Sequence, residues 1–203
     1  MRICAIAAAL CATLVCGAAS AQVSLNPKNA SPGVYRLEPR HTQVMFAIRH
    51  LDLTEFYGRF DKMSGTLSFD SRHPEASTVS IALDLSSVDT PNTDLNGEIK
   101  NVFNAAKYPT ATFKSTSVSV TSPTTGKITG DLTLNGVTKP LVLDVTFNGS
   151  REDPMDGAAA LGFTATATVH RADYKLDQMI WSGAVGADVT LTINALFEQK
   201  RLY

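Results

Sequence analysis

From about Gly33 onward, apolar and polar residues alternate with a period of two along most of the chain. Val44, Phe46 and Ile48 share one face, opposite Gln43, Met45 and Arg49. Val79, Ile81, Leu83 and Leu85 alternate with Ser80, Ala82 and Asp84. The same beat returns in Leu141 to Phe147, Phe163 to Val169 and Val189 to Ala195. Successive side chains of a strand point to opposite faces, so each run predicts a strand with one apolar and one wet face. The wet faces are rich in Thr, which suits an exposed pleated surface. Leu134-Asn135-Gly136-Val137 predicts a tight hairpin, because both central residues tolerate positive φ. Thr124-Thr125-Gly126 and Asp153 to Gly157 predict further loops. One stretch, about Thr93 to Phe103, instead places Leu95, Ile99, Val102 and Phe103 at helical spacing before Lys107-Tyr108-Pro109 breaks it. About eight or nine strands without a βαβ rhythm predict an all-β, antiparallel barrel or sandwich. Small residues at core-facing positions, Gly65, Gly130, Ala165 and Ala167, tilt this toward an eight-stranded barrel, which can keep a ligand cavity where a sandwich would pack Leu or Val.

The first residues follow a different rule. Met1-Arg2 is a short positive start, Ile3 to Val15 is almost wholly apolar, and Ala19 and Ala21 frame a small-residue cleavage site before Gln22. That order predicts a cleaved signal peptide over residues 1–21. The run is too short to span a bilayer, so the expected product is exported and not membrane-spanning. Val15 before Cys16 and Leu10 before Cys11 do not fit a lipid-attachment box, which wants a small residue there. A polar linker is expected at 22–32 and the barrel domain over 33–203.

Composition is reinterpreted by that cut. The 203 residues carry three cysteines, and Cys4, Cys11 and Cys16 all leave with the signal. The expected mature chain of 182 residues has no thiol, with 17 basic against 19 acidic side chains. A hydrophobic core must then hold the domain without disulfides. The near-neutral charge removes the electrostatic case for nucleic acid.

Catalytic and metal chemistry find few footholds. His41, His50, His73 and His170 show no i, i+2 strand pair or i, i+4 helix pair of metal-ligand spacing. His41, followed by Thr42, has the best claim to local structural work. There is no G-x-S-x-G elbow and no phosphate loop. Asp52 with Glu55, and Asp153 with Asp156, read as solvated loop carboxylates. No cofactor is expected. The aromatics say more, because Phe46, Phe113 and Phe163 fall on apolar strand faces. Taken singly each is core, but together they could wall a cavity that shelters a hydrocarbon, at about 0.8 kcal/mol per buried CH₂. Strand parity selects Phe46, Ile48, Phe60, Leu67, Ile81, Leu83 and Phe113 as candidate ligand contacts. It adds Leu132, Leu143, Phe163, Ala165, Ala167 and Leu191, with Phe103 from the helical stretch.

Several segments resemble one known family. They are Tyr35-Arg36-Leu37-Glu38-Pro39-Arg40-His41-Thr42, Tyr57-Gly58-Arg59-Phe60, Ser87-Val88-Asp89-Thr90 and Lys107-Tyr108-Pro109. The most specific stretch is Gly130-Asp131-Leu132-Thr133-Leu134-Asn135-Gly136-Val137-Thr138-Lys139-Pro140. In order and spacing, residues 33–198 are similar to the YceI-like family. The resemblance implies a periplasmic, lipocalin-like barrel holding a polyisoprenoid or similar amphiphile, often as a homodimer, with links to isoprenoid quinone metabolism. It brings no catalytic residues. Two departures stand out: the Asn92 to Lys100 helix, and Lys175, where many members carry Gly.

The leading expectation is a non-catalytic binding or carrier protein for a quinone, a prenyl phosphate or a related lipid. Two rivals remain: a stress-response or interaction β domain with a packed interior, and a lipid hydrolase or isomerase using His41 or His170 as base.

Overall fold

The computed structural model describes residues 22–177 and 183–199. The predicted signal peptide lies outside them. Among the described residues there are eleven antiparallel strands: β1 (Gly33–Leu37), β2 (Gln43–His50), β3 (Thr54–Phe60), β4 (Met63–Phe69), β5 (Thr78–Asp84), β6 (Val88–Asp89), β7 (Thr110–Val120), β8 (Thr125–Leu134), β9 (Val137–Glu152), β10 (Ala159–His170) and β11 (Val185–Gln199). The helix α1 spans Thr93–Val102. Because β1 pairs with both β4 and β11, eight strands close into a ring in the order β1-β4-β5-β7-β8-β9-β10-β11. This is the expected eight-stranded antiparallel barrel with one short helix.

The extra strands come from bends. β1 and β2, β3 and β4, and β5 and β6 are each one chain direction broken by a short irregular stretch. Beyond the bends β2, β3 and β6 extend the sheet from β11, whose 15 residues pair first with β2 and then with β1. β6 pairs only with β3, so the sheet opens there, and α1 follows with Ile99, Val102 and Phe103 packed on the core. The Phe60 and Phe103 rings lie 5.8 Å apart.

The first bend is built by Glu38. Its buried carboxylate accepts from the Arg40 and His41 backbone N–H groups at 3.1 and 2.9 Å, and pairs with Arg40 Nε and His41 Nδ1. Thr42 then exchanges hydrogen bonds with the Leu196 backbone. His41 therefore does the structural work its setting suggested.

The β8–β9 hairpin turns on Asn135 and Gly136, both at positive φ. The Gly136 Cα also lies against the Tyr108 ring, leaving no room for a Cβ. Residues 22–32, expected as a linker, are pinned instead. Ser24 bridges to Ser150, Ala30 is buried, and Tyr35 Oη donates to the Ser31 carbonyl at 2.6 Å. The pinning was hidden because it rests on backbone groups, one apolar methyl and the Tyr35 hydroxyl, none of which the pattern of polar and apolar residues reveals. Lys175 adopts the left-handed conformation (φ 57°) after the 3₁₀ turn Arg171–Tyr174, which explains why glycine suits that position.

Candidate functional site

Strand parity sends one face of every ring strand inward, and two cavities lie along the interior. A cavity of about 490 Å³ lies under α1, at the end of the barrel where the bent strands extend. β2 contributes Val44, Phe46 and Ile48; β3 contributes Phe56 and Phe60. Leu83, Leu132 and Leu191 face them from β5, β8 and β11. α1 supplies Leu95, Ile99 and Val102, with Phe103 just past its end. Only His50, Glu98, Asn101 and Arg171 interrupt this apolar wall.

Those polar groups are in unusual states. Glu98 Oε2 is buried without a hydrogen-bond partner among the described residues. Arg171 is almost wholly buried and donates to the carbonyls of Val185, Gly186 and Leu176 at 3.1, 3.0 and 2.8 Å. Burial lowers the Arg171 pKa, with Asp177 acting in the opposite direction.

A second cavity of about 460 Å³ occupies the other end, lined by Leu67, Phe69, Phe147 and Phe163 among others. It shares no lining residue with the first.

The candidate contacts divide accordingly. Phe46, Ile48, Phe60, Leu83, Phe103, Leu132 and Leu191 line the cavity under α1. Leu67 and Phe163 line the second cavity. Ile81, Phe113, Leu143, Ala165 and Ala167 line neither. On β5, Ile81 falls between Val79 of one cavity and Leu83 of the other; on β10, Ala165 and Ala167 fall between Phe163 and Val169. These residues lie between the two cavities. At two of the small positions, Gly65 and Gly130, neighbouring side chains already take the space. A Cβ on Gly65 would sit 2.4 Å from Ile81 Cδ1, and one on Gly130 would sit 2.5 Å from Phe113 Cζ. The glycines thus seat neighbouring side chains, and the expectation that they hold open a ligand space is corrected.

Reading by strand missed the helix stripe Leu95, Ile99 and Val102, although its 3.6-residue spacing was visible. It also missed Arg171, which continues the inward parity of Val169. Glu98 had no sequence signal, since an exposed helix glutamate looks the same. His41 and His170 line neither cavity; both are exposed and pair with Glu38 and Asp188. No cluster of three or more metal-ligating side chains occurs among the described residues. Nor is any described helix long and apolar enough to cross a membrane.

Fold and cavities together define a closed antiparallel barrel with an accessible apolar interior. The chain belongs to the YceI-like domain family, whose pattern matches residues 35–197. A UPF0312 protein of Ectopseudomonas mendocina is 40% identical over 159 residues, spanning 77% of this chain and 83% of the relative. The YceI protein of Campylobacter jejuni has a solved structure that superposes with a TM-score of 0.66 at 27% identity, covering 75% of this chain and 90% of that one. A polyisoprenoid binding domain from Saccharophagus degradans, implicated in plant cell wall breakdown, shares the fold with a TM-score of 0.62 at 19% identity, covering 84% and 100%.

Proposed function

We propose that this protein is an exported, non-catalytic carrier that holds a polyisoprenoid or similar amphiphilic lipid in the cavity under α1, in the periplasm. One observation carries the reading: a space of about 490 Å³, in the range of ordinary ligand sites, walled by apolar side chains with four polar groups on its wall. Such a wall shelters a hydrocarbon by removing it from water, and no bond has to be made or broken. A head group would meet His50, Glu98, Asn101 or Arg171. Family membership and the polyisoprenoid-binding neighbour support the lipid class, and the Met1 to Ala21 pattern supports export. Two cavities weigh against the rival of a filled β domain. The outward placement of His41 and His170 weighs against the hydrolase.

Organic extraction of protein purified from the periplasmic fraction, followed by lipid mass spectrometry, tests the proposal. A stoichiometric prenyl lipid is expected. Protein that is empty, and that also fails to take up farnesol or a short-chain quinone, would overturn it.

A further inference from the structure

We propose that the tip of the β2–β3 hairpin docks this protein onto a zwitterionic phospholipid bilayer, with Leu51 and Leu53 entering the head-group layer. Three residues, Leu51, Asp52 and Leu53, join β2 to β3 beyond the His50–Thr54 pair. Leu51 is 54% exposed and Leu53 is 77% exposed. The backbone makes this choice of residue costly, because Leu51 and Asp52 both hold positive φ, at 52° and 56°. A bulky side chain is an outlier in that region, where Gly or Asn serves with less strain. The turn is nonetheless fixed. Leu51 N–H donates to the Ala184 carbonyl at 2.7 Å, Leu53 N–H to that of His50 at 3.0 Å, and the Arg49 guanidinium to that of Asp52. Neither leucine joins the described core, so folding stability does not account for them.

Three features select a bilayer as the partner. The first is charge: from Arg49 to Arg59 the hairpin carries Arg49 and Arg59 against Asp52 and Glu55. That balance suits a layer of phosphate and ammonium groups better than a strongly anionic surface. The second is area. The two leucines present on the order of 200 Å², against about 800 Å² from each partner in a standard protein interface, so a second copy would gain too little. The third is position. Ile48, His50 and Phe56 of the same two strands line the cavity under α1, while Arg49, Glu55 and Tyr57 alternate onto the outer face. Tyr57 is exposed four residues after Leu53, about 13 Å along the strand, and its hydroxyl donates to Glu55 at 2.6 Å. A ring with a polar tip suits the head-group level. Docking would bring the cavity wall up to the bilayer, so that a hydrocarbon moves between them with little exposure to water. This use of the contact rests on the carrier reading; the contact itself does not.

The test uses the chain from Gln22 to Tyr203, refolded in lipid-free buffer, and phosphatidylcholine–phosphatidylethanolamine vesicles without prenyl lipid. Cosedimentation should show binding that changes less than about twofold between roughly 0.05 and 0.5 M salt, as apolar insertion requires. Leu51→Asn combined with Leu53→Ser should lower partitioning by about tenfold or more, while the melting point stays level or rises, because Asn relieves strain at position 51. The chain from Gln22 has no thiol, so Leu53→Cys can carry a single polarity-sensitive dye. Its emission should shift to the blue on vesicles, an answer that does not depend on the double variant folding. No cosedimentation, or a dye that stays in water, would overturn the docking tip. So would a double variant that binds vesicles as the unaltered protein does, or binding to anionic vesicles alone that salt abolishes. A leucine-dependent dimer in sedimentation velocity, without vesicle binding, would overturn it in favour of a second copy. Farnesol uptake from solution without vesicle binding would overturn docking and leave the carrier reading standing. Vesicle binding without farnesol uptake would support docking and count against the carrier.

Discussion

At the scale of single residues, buried charge decides more than exposed charge. Burial acts to raise the Glu38 pKa, but hydrogen bonds from Arg40 and His41 outweigh it and hold the carboxyl below its usual 4.5. A folded-state pKa below the unfolded one means stability present above that range and lost as pH falls through the folded value. Glu38→Gln should therefore cost about 2 kcal/mol at pH 7, shrinking toward zero below about pH 4, in denaturant titrations at several pH values. Glu198 has the opposite sign, since burial first, then the charges of Glu38, Asp153 and Asp156, raise its pKa. Acid relieves Glu198 while undoing Glu38, and Glu38→Gln also removes one of the charges that raise the Glu198 pKa. Glu98 poses a different problem, because its Oε2 is buried with no partner. An unpaired buried acceptor costs about 1–3 kcal/mol. Glu98→Leu should raise the melting point of lipid-free protein by about 2–12 °C. The same change should weaken alcohol-headed lipids relative to a headless hydrocarbon, measured by displacement of a fluorescent probe.

At the scale of elements, α1 is the weak member. It is ten residues long, below the roughly 12–15 at which isolated helices become even marginal in water, and it carries Gly97. Asn92 caps it by accepting from the Asp94 N–H at 3.0 Å, and Thr90 holds Asn96 at 2.8 Å. Its stability must come from Ile99, Val102 and Phe103 on the core. A methyl at Gly97 would point into open space. Gly97→Ala should accordingly add about 0.5–1 kcal/mol in chemical denaturation and lower amide exchange in α1. The helix was legible from Leu95, Ile99, Val102 and Phe103 because 3.6-residue periodicity is a local property. The bends were not. β1 and β2 read as separate strands only once Glu38 is seen to gather the Arg40 and His41 N–H groups, a contact that alternation does not encode.

At the scale of the molecule, the expected mature chain without cysteine must hold two cavities open on packing alone. On the proposed carrier function, emptying the cavity under α1 removes apolar contacts that the lipid would supply. Ligand binding to the folded state alone adds about 2.7 kcal/mol at a free concentration of 100 times the dissociation constant. Protein delipidated by unfolding and refolding in lipid-free buffer should regain its strand signal by circular dichroism but melt roughly 5–10 °C lower. Added farnesol should restore the difference. A reductant should change neither melting point.

The sequence by itself determined the strands, their inward faces, the Asn135-Gly136 turn and the helix. Each follows from geometry within a few residues: a pleat of period two, a turn needing positive φ, a 3.6-residue stripe. Only the tertiary structure decided where along the barrel axis an inward residue falls. Ile81 and Leu83 share a face and an apolar character, yet only Leu83 lines the cavity under α1. That difference depends on pairing register, on the bends that swing β2, β3 and β6 away from the ring, and on Gly65 and Gly130 lying beside Ile81 and Phe113. These contacts join residues far apart in the chain. Parity selects the face that turns inward, and long-range packing sets which part of it stays open.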